Sequence, residues 1–326
     1  MDNKEIKFSI VIVTYAREKE YFECASSLIK QQIPYTFETI VVFNGDSSYL
    51  HKSIEQHPYF IYLTTDKTTP AQARNVAISR TQGEFIFFLD DDCLIPDGYF
   101  NKINFNTGWD VLGGPDQTPP LSSSMQASIG RALSSPLCMG PTFYRHSKEG
   151  RYLNNANERK LILCNLWIRR SLLLENNLKF NKDLFRNEEN FLLKEIHKFN
   201  ANIHYDPQLY IHHKRRSNLR AFGGSIFKSG ECRIQSFFLL PSREELLYLL
   251  PLVFVPFFLI LTYASPKLSG ALMIAYLTLT IGYSLKKEGH ISPLFSLLHL
   301  FILGTYALGS LFGLYKALLV ETRRKP

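Results

Sequence analysis

Residues 84–96 read EFIFFLDDDCLIP, an apolar run of strand character that ends in three adjacent carboxylates. A strand can carry acids at its carboxyl lip, but Asp90, Asp91 and Asp92 repel one another unless something cationic sits among them. A divalent metal is the obvious cation, because magnesium and manganese take carboxylate oxygens readily and are usually completed by the phosphates of a bound substrate. The triplet therefore points to nucleotide diphosphate chemistry, with a solvated acidic turn as the plain alternative.

What precedes the triplet narrows the fold. Residues 7–14 (KFSIVIVT), 38–43 (ETIVVF) and 60–64 (FIYLT) are further apolar runs rich in β-branched side chains, and read as buried parallel strands. Between the first two, Tyr21, Phe22, Ala25, Leu28 and Ile29 recur at helical spacing. Pro70 opens a second helical stretch through Arg80, with Ala73, Ala77 and Ile78 as its narrow apolar face. A fifth strand is expected over residues 110–113. Strand and helix alternate, which predicts a doubly wound, mostly parallel α/β sheet with its ligand at the carboxyl ends of the strands. The acids fall at such an end.

At this point the residues resemble a known family. Residues 9–17 (SIVIVTYAR), 41–45 (VVFNG), 73–77 (ARNVA) and 83–92 (GEFIFFLDDD), followed by 164–170 (CNLWIRR), 187–192 (NEENFL) and 206–213 (DPQLYIHH), are similar in order and spacing to the blocks of family 2 glycosyltransferases of the GT-A fold. The resemblance covers roughly residues 7–216 and implies inverting sugar transfer from a nucleotide-sugar donor. It places the outer acids of the triplet in a DXD-type motif that takes Mg2+ or Mn2+, with Asp92 as direct ligand, Asp90 on the ribose or a metal-bound water, and Asp91 as the spacer within the donor site. Thr14, Tyr15, Arg17, Asn44, Arg74 and Asn75 would line the donor, the plain alternatives being core packing for Tyr15 and a structural salt bridge for Arg74. His212 or His213 would complete the metal site or contact the diphosphate; since neighbouring strand residues face opposite ways, only one of them can. Glu189 is the expected base that removes the acceptor proton, with Glu188 as its rival, and both also suit a helix N-terminus. The family carries aspartate where this chain has Glu189, and an acid at one of the positions held here by Phe43 and Asn44. Asn165, Trp167 and Arg169, together with Arg131 and Arg170, are expected on the acceptor side; within the weakly patterned residues 114–160, residues 115–124 (PDQTPPLSSS) and 154–160 (NNANERK) read as loops.

Composition bounds the remainder of the 326 residues. A net charge of +8 is too mild for a nucleic-acid partner, and the basic residues cluster from Lys214 to Arg243 and at 323–325, on either side of hydrophobic sequence. That arrangement suits anionic lipid head groups. Five cysteines without paired spacing read as reduced thiols and not as a zinc site or disulfide framework. The amino terminus runs straight into the first strand without a cleavage-type site, so no signal peptide is expected.

After Arg243 the chain changes character, with apolar runs over residues 246–264, 268–285 and 294–314 that read as membrane helices. Pro251 and Pro256 predict a kink or a re-entrant element in the first. Three full crossings would put residues 323–325 opposite the basic cluster at Lys214, Arg215 and Arg216, against the positive-inside tendency. Residues 219–240 carry a broken apolar stripe, Leu219, Phe222, Ile226, Phe227, Ile234, Phe237 and Phe238, that reads as a helix lying among head groups. The expected layout is a catalytic domain at 1–216, an interfacial amphipathic linker at 217–243 and a transmembrane region at 244–326 with two to three helices. A multi-pass membrane enzyme with its catalytic domain in the cytoplasm follows, moving one sugar to a lipid-linked saccharide or polyprenyl phosphate in cell-surface polysaccharide or glycolipid synthesis. The Gln-x-x-Arg-Trp signature of processive synthases is absent. Two rival readings are a noncatalytic membrane scaffold of the same fold and a nucleotidyltransferase. The latter would show a glycine-rich loop after the first strand, whereas residues 14–20 (TYAREKE) contain no glycine.

Overall fold

A computed structural model describes residues 5–241, 243–290 and 292–324. The chain divides into two compact units, Met1–Leu121 with Pro141–Lys214, and Ser122–Gly140 with Arg215–Pro326. In chain order the first unit carries β1 (Phe8–Thr14), α1 (Glu18–Ile29), β2 (Phe37–Asn44), α2 (Leu50–Gln56), β3 (Ile61–Thr65), α3 (Pro70–Ile78), β4 (Phe85–Asp90), β5 (Cys93–Leu94), β6 (Val111–Gly113) and β7 (Asp116–Gln117). Helices α4 (Ser124–Leu133) and α5 (Pro136–Met139) then enter the second unit. The first unit resumes with β8 (Leu166–Arg169), α6 (Arg170–Glu175), α7 (Glu188–His197), β9 (Ile203–Tyr205) and β10 (Ile211–His213).

Seven strands form one sheet in the order β3-β2-β1-β4-β8-β6-β9. Strands β1, β2, β3 and β4 are mutually parallel, and β8 runs antiparallel between β4 and β6. The runs read as strands are therefore strands, and the fifth begins at Val111. β3 departs from expectation, because it is half exposed along its length and not buried. It is the end strand of the sheet, with a neighbour on one side only.

A three-stranded sheet, β5-β10-β7, adjoins the carboxyl end of β4. Its register sets His213 opposite Cys93, and Ile211 opposite Asp116. Because β5 starts three residues after Asp90, this ladder fixes β10 beside the acid triplet. Gly114 makes the approach possible, since a Cβ there would run into the Leu209 carbonyl oxygen. Behind the sheet, Trp167 stacks on Phe87 with centroids 4.4 Å apart and meets Phe8 edge-on at 5.1 Å. This fully buried aromatic block holds the first unit's core together.

The second unit consists of α4, α5 and four further helices: α8 (Leu219–Leu239), α9 (Leu250–Ala264, entered through a 3-10 stretch at Arg243–Leu249), α10 (Pro266–Glu288) and α11 (Pro293–Arg324). Ser123 and Gln126 close a reciprocal capping box at the start of α4. α8 lies parallel to α11. Phe222 meets Phe301, Phe227 meets Gly309 and Glu231 meets Gly313, so the pairing advances in the same direction on both helices. Glycines permit this contact, because a Cβ at Gly309 would strike the Phe227 carbonyl oxygen and one at Gly230 the Tyr306 carbonyl oxygen. Glu231, buried in the pair, accepts hydrogen bonds from Lys228 Nζ at 3.0 Å and Lys316 Nζ at 2.7 Å.

This packing changes the reading of α8. Its apolar residues Phe222 and Ile234 are 4% and 1% exposed, Phe222 being covered by Ile129, Leu298 and Ile302 of α4 and α11. The stripe read as facing head groups is largely a helix–helix interface. Residues 122–140, read as part of the first domain, belong to the same cluster.

Among the described residues three helices are long and apolar enough to cross a membrane: Leu246–Ala264, Pro266–Lys287 and Pro293–Leu319. They differ in protein cover, which falls on 0%, 17% and 39% of their apolar windows. A proline in the first turn of α9 suits a helix start and causes no break there, while Pro256 lies inside the helix. α9 rises about 22 Å by itself, short of a ~30 Å hydrocarbon layer without the 3-10 turn before it.

The glycine contact yields a direct test. Gly309→Leu should force α8 and α11 apart and lower the thermal midpoint of the detergent-solubilised protein, whereas Gly304→Leu, where a Cβ meets nothing within 4 Å, should leave it nearly unchanged. Equal midpoints for the two variants would show that the pair does not depend on this approach.

Candidate functional site

The acid triplet is surrounded by cationic side chains from three elements. β1 ends at Thr14, and the left-handed backbone of Ala16 (φ 49°) follows immediately before Arg17. Arg17 Nη1 donates to Asp91 Oδ1 and Asp92 Oδ2, each at 2.8 Å. α3 starts from Thr69, whose side chain accepts from Gln72 N, and from Pro70 in its first turn. That start sets Arg74 on the buried face, where Nη2 donates to Asp90 Oδ1 at 2.9 Å and Nη1 to Glu188 Oε1 at 2.8 Å. His213 completes the set, with Nε2 3.1 Å from Asp92 Oδ1.

Burial and charge compete at each group. Desolvation pushes Asp91 up to about 7 against the opposing pull of Arg17. Burial works against a charged His213, but the Asp92 and Asp116 carboxylates hold its pKa well above the ordinary histidine value. Asp116, fully buried, joins the ring's other nitrogen, Nδ1, at 2.7 Å and receives a second imidazole, His146 Nδ1, at 2.6 Å.

The donor set suits a divalent cation. One atom from each of Asp90, Asp92 and His213 lies within 4.8 Å of the others. Two carboxylates and an imidazole match Mn2+ better than Mg2+, which favours an all-oxygen shell. Between the two histidines left open by sequence, His213 is the one beside the acids. His212 points elsewhere: its ring lies against Tyr210 at 5.6 Å and its Nδ1 is buried without a hydrogen bond, so the metal role expected for it is corrected.

The remaining expected residues divide. Thr14 is buried, with its hydroxyl 2.7 Å from Tyr49 Oη. Tyr15 is 43% exposed, so core packing is excluded for it; Lys67 donates to its hydroxyl at 2.9 Å and covers its ring at 4.8 Å. Asn44 is committed to the loop after β3, accepting from Thr68 N at 2.9 Å and donating to Thr68 O at 3.0 Å. Asn75 clamps Phe180 in the same two-way manner, at 2.9 and 2.8 Å. Both asparagines shape loops with the groups expected to touch a donor.

The acceptor side needs the largest correction. Trp167 is a core side chain, and its Nε1 donates to Tyr99 Oη at 3.0 Å. Asn165 is fully buried and donates to the Pro115 and Leu209 carbonyls at 3.2 and 2.7 Å. Arg169 pairs with Phe85, the first residue of β4, so it sits at the opposite end of that strand from Asp90; there it bonds Glu84 at 2.9 Å and Asp110 at 3.1 Å. An antiparallel β8 places the end of this motif away from the acids. Arg170 follows on α6 at that same end, its amide donating to the Glu84 carbonyl at 2.9 Å, and Arg131 lies on α4, in the other unit.

Glu188 and Glu189 occupy the first turn of α7, entered through the left-handed Asn187 (φ 63°), and are 5% and 7% exposed. Burial lifts Glu188 to about 7 despite Arg74. Glu189 Oε1 lies 3.5 Å from Arg145 Nη1 and 3.1 Å from Asn190 Nδ2. Arg145 is itself anchored on the Glu158 carbonyl and the Asn190 side chain. Sequence reasoning missed Arg145, Asp116, His146 and Lys67: Asp116 opens the two-residue strand β7, Arg145 and His146 end a 3-10 turn and Lys67 lies in the loop after β3, none with a readable period.

Comparison with known proteins finds glycosyltransferases in sequence and in fold. Residues 9–104 match the family model of glycosyl transferase family 2. A poly(ribitol-phosphate) beta-N-acetylglucosaminyltransferase, TarS, of Staphylococcus aureus is 34% identical over 103 residues, and an uncharacterised glycosyltransferase of Rickettsia bellii is 31% identical over 103. These stretches cover 30% and 31% of this chain but only 17% and 14% of those relatives. Among solved structures, the mannosyltransferase PcManGT of Pyrobaculum calidifontis superposes with a TM-score of 0.67 at 13% identity, over 96% of this chain and 88% of its own. S. aureus TarS 1–349 gives 0.51 at 17% identity, over 94% and 90%. Residues 9–104 are thus similar to family 2 glycosyltransferases, and the fold built around them is GT-A-like.

Proposed function

We propose that the protein is an inverting, metal-dependent glycosyltransferase that moves a single sugar from a nucleotide-sugar donor to a membrane-associated acceptor, a lipid-linked saccharide or polyprenyl phosphate. The observation that carries this reading is the convergence of Asp90, Asp92 and His213 at the carboxyl end of β4, with Arg17 and Arg74 beside them. The PcManGT structure was determined with GDP-Man and Mn2+, and TarS is named as an N-acetylglucosaminyltransferase, which supports a nucleotide-sugar donor and Mn2+ here.

Asp92, Asp90 and His213 would hold the cation, which when bound supplies Lewis-acid neutralisation of charge on the departing nucleoside diphosphate. Arg17 gives up Asp92 and turns its guanidinium to the diphosphate, a fork-shaped donor suited to phosphate oxygens. Tyr15, exposed at the end of β1, offers a ring face to the nucleobase, with Lys67 over it. Glu189 removes the proton from the acceptor hydroxyl as that oxygen attacks the anomeric carbon from the face opposite the leaving group. Glu188 has the pKa suited to a base but is held by Arg74, and acts to position that guanidinium between Asp90 and α7.

For the second unit we infer that α9 and α10, with least protein cover, enter the bilayer, and that α11 lies back along α8. Two crossings return the chain to its starting side before α11, removing the conflict with the positive-inside tendency that three crossings create. The first unit then lies on the cytoplasmic side with the basic cluster.

Three measurements follow. With purified full chain and a panel of nucleotide sugars, Asp92→Asn should abolish Mn2+-dependent nucleotide binding, donor hydrolysis and transfer, while Asp91→Asn is milder; equal losses would undo the ligand assignment. Glu189→Gln should keep nucleotide and metal binding yet slow transfer by about two to four orders of magnitude, with Glu189→Asp retaining more activity. Normal transfer by Glu189→Gln beside a severe loss in Glu188→Gln would make Glu188 the base. In intact cells, a cysteine introduced at Ser265 should react with a membrane-impermeant maleimide and one at His290 only after lysis; the reverse pattern, or no difference, would refute the two-crossing arrangement.

A further inference from the structure

The His213 ring stands between two donor sets of opposite chemical character. Its Nε2 faces the hard carboxylate of Asp92 at 3.1 Å. Its Nδ1 lies 3.8 Å from Cys164 Sγ. Cys93, directly opposite His213 in the β5–β10 ladder, brings a second sulfur. One ligand atom from each of Cys93, Cys164 and His213 lies within 4.8 Å of the others, the limit that the carboxylate set sharing the same histidine also meets. Both cysteines are buried, at 0% and 1% exposure, and neither is in a disulfide.

We propose that Cys93, Cys164 and His213 form a second cation site, specific for a thiophilic ion of the Zn2+ or Cd2+ class, and that its occupation expels the hard cation from the carboxylate site. Two sulfurs and an imidazole nitrogen are the donors such ions prefer, and Asp116, whose Oδ2 is 2.7 Å from the same Nδ1, supplies an oxygen as the fourth ligand. In a tetrahedral zinc site with metal–sulfur bonds of about 2.3 Å the ligand atoms lie roughly 3.3–3.8 Å apart, so closure here requires shifts of about an ångström. On coordination the two S–H protons pass to solvent.

The antagonism follows from counting lone pairs. A neutral imidazole has one, on whichever nitrogen lacks the proton. A hard cation on Nε2 requires Nδ1–H, which Asp116 accepts. A soft cation on Nδ1 requires Nε2–H, which then points at Asp92 and withdraws the imidazole from the carboxylate site. This second part rests on the metal-dependent reading above, whereas the thiolate site does not. Ordinary apolar packing of two buried thiols is the competing explanation.

The probe is Cd2+ added to metal-free, full-length protein in detergent, followed by the ultraviolet charge-transfer absorption of cadmium thiolates. The expected result is a band that saturates at one ion per chain, is cut to about half by Cys164→Ser or Cys93→Ser with at least tenfold weaker binding, and is unaffected by Cys138→Ser. Melting curves confirm that each variant is folded. Cd2+ should also release bound Mn2+ from the wild type, read by the reappearance of the free-ion paramagnetic resonance signal, and should fail to do so in Cys164→Ser at the same concentration. Absence of the band, or equal loss with Cys138→Ser, overturns the thiolate site. Equal Mn2+ release from wild type and Cys164→Ser overturns the antagonism, since Cd2+ would then be entering the carboxylate site directly. If Mn2+ does not bind the wild type at all, the carboxylate reading and the antagonism fall together, and the cadmium band still decides the thiolate site.

Discussion

The first unit depends on one electrostatic constraint, three carboxylates at the tip of one strand. Each has a cationic neighbour from a different part of the chain: Arg17 after β1 bridges Asp91 and Asp92, Arg74 on α3 holds Asp90, and His213 at the end of β10 holds Asp92. A buried charge is tolerated only when paired, so these contacts oblige three distant segments to meet at the tip. Arg74 extends the constraint to α7 through Glu188, and His213 extends it through Asp116 to His146. The groups suited to donor chemistry are therefore also the groups that tie the loops of this unit to its sheet.

Much of the sheet was legible because buried parallel strands read as continuous β-branched runs, and β1, β2 and β4 are of that kind. β3 reads as buried yet is half exposed, since its position at the edge is a property of the whole sheet and leaves no mark on five residues. The triplet and its register were visible for the same reason as β4. The choice between His212 and His213 was not, because it turns on a ladder with β5 and β7, two strands of two residues each. Asp116 was hidden in a loop-like stretch between Gly114 and Pro119, where no period exists to assign it.

The acceptor residues failed for a different reason. A motif match gives positions along the chain but not the direction in which the strand runs, and β8 proved antiparallel to β4. Trp167 thus points into the aromatic block and Arg169 stands at the far end. The placement of residues 122–140 with the later helices is similarly beyond a reading that follows the chain, although one local signal is available: Ser123 and Gln126 have the spacing of a capping box and mark the start of a helix at the end of the loop over 115–124.

Arg17 has a consequence for how ligands communicate. In the structure its guanidinium already neutralises Asp92, so a cation arriving there displaces a resident charge and its net affinity is the difference between two attractions. The displaced guanidinium keeps Asp91 and has donors to spare, which the diphosphate of the proposed donor would engage. On the proposed function, cation and nucleotide would thereby be thermodynamically linked, each raising the affinity for the other by an equal factor, because a single side chain cannot serve both Asp92 and the diphosphate.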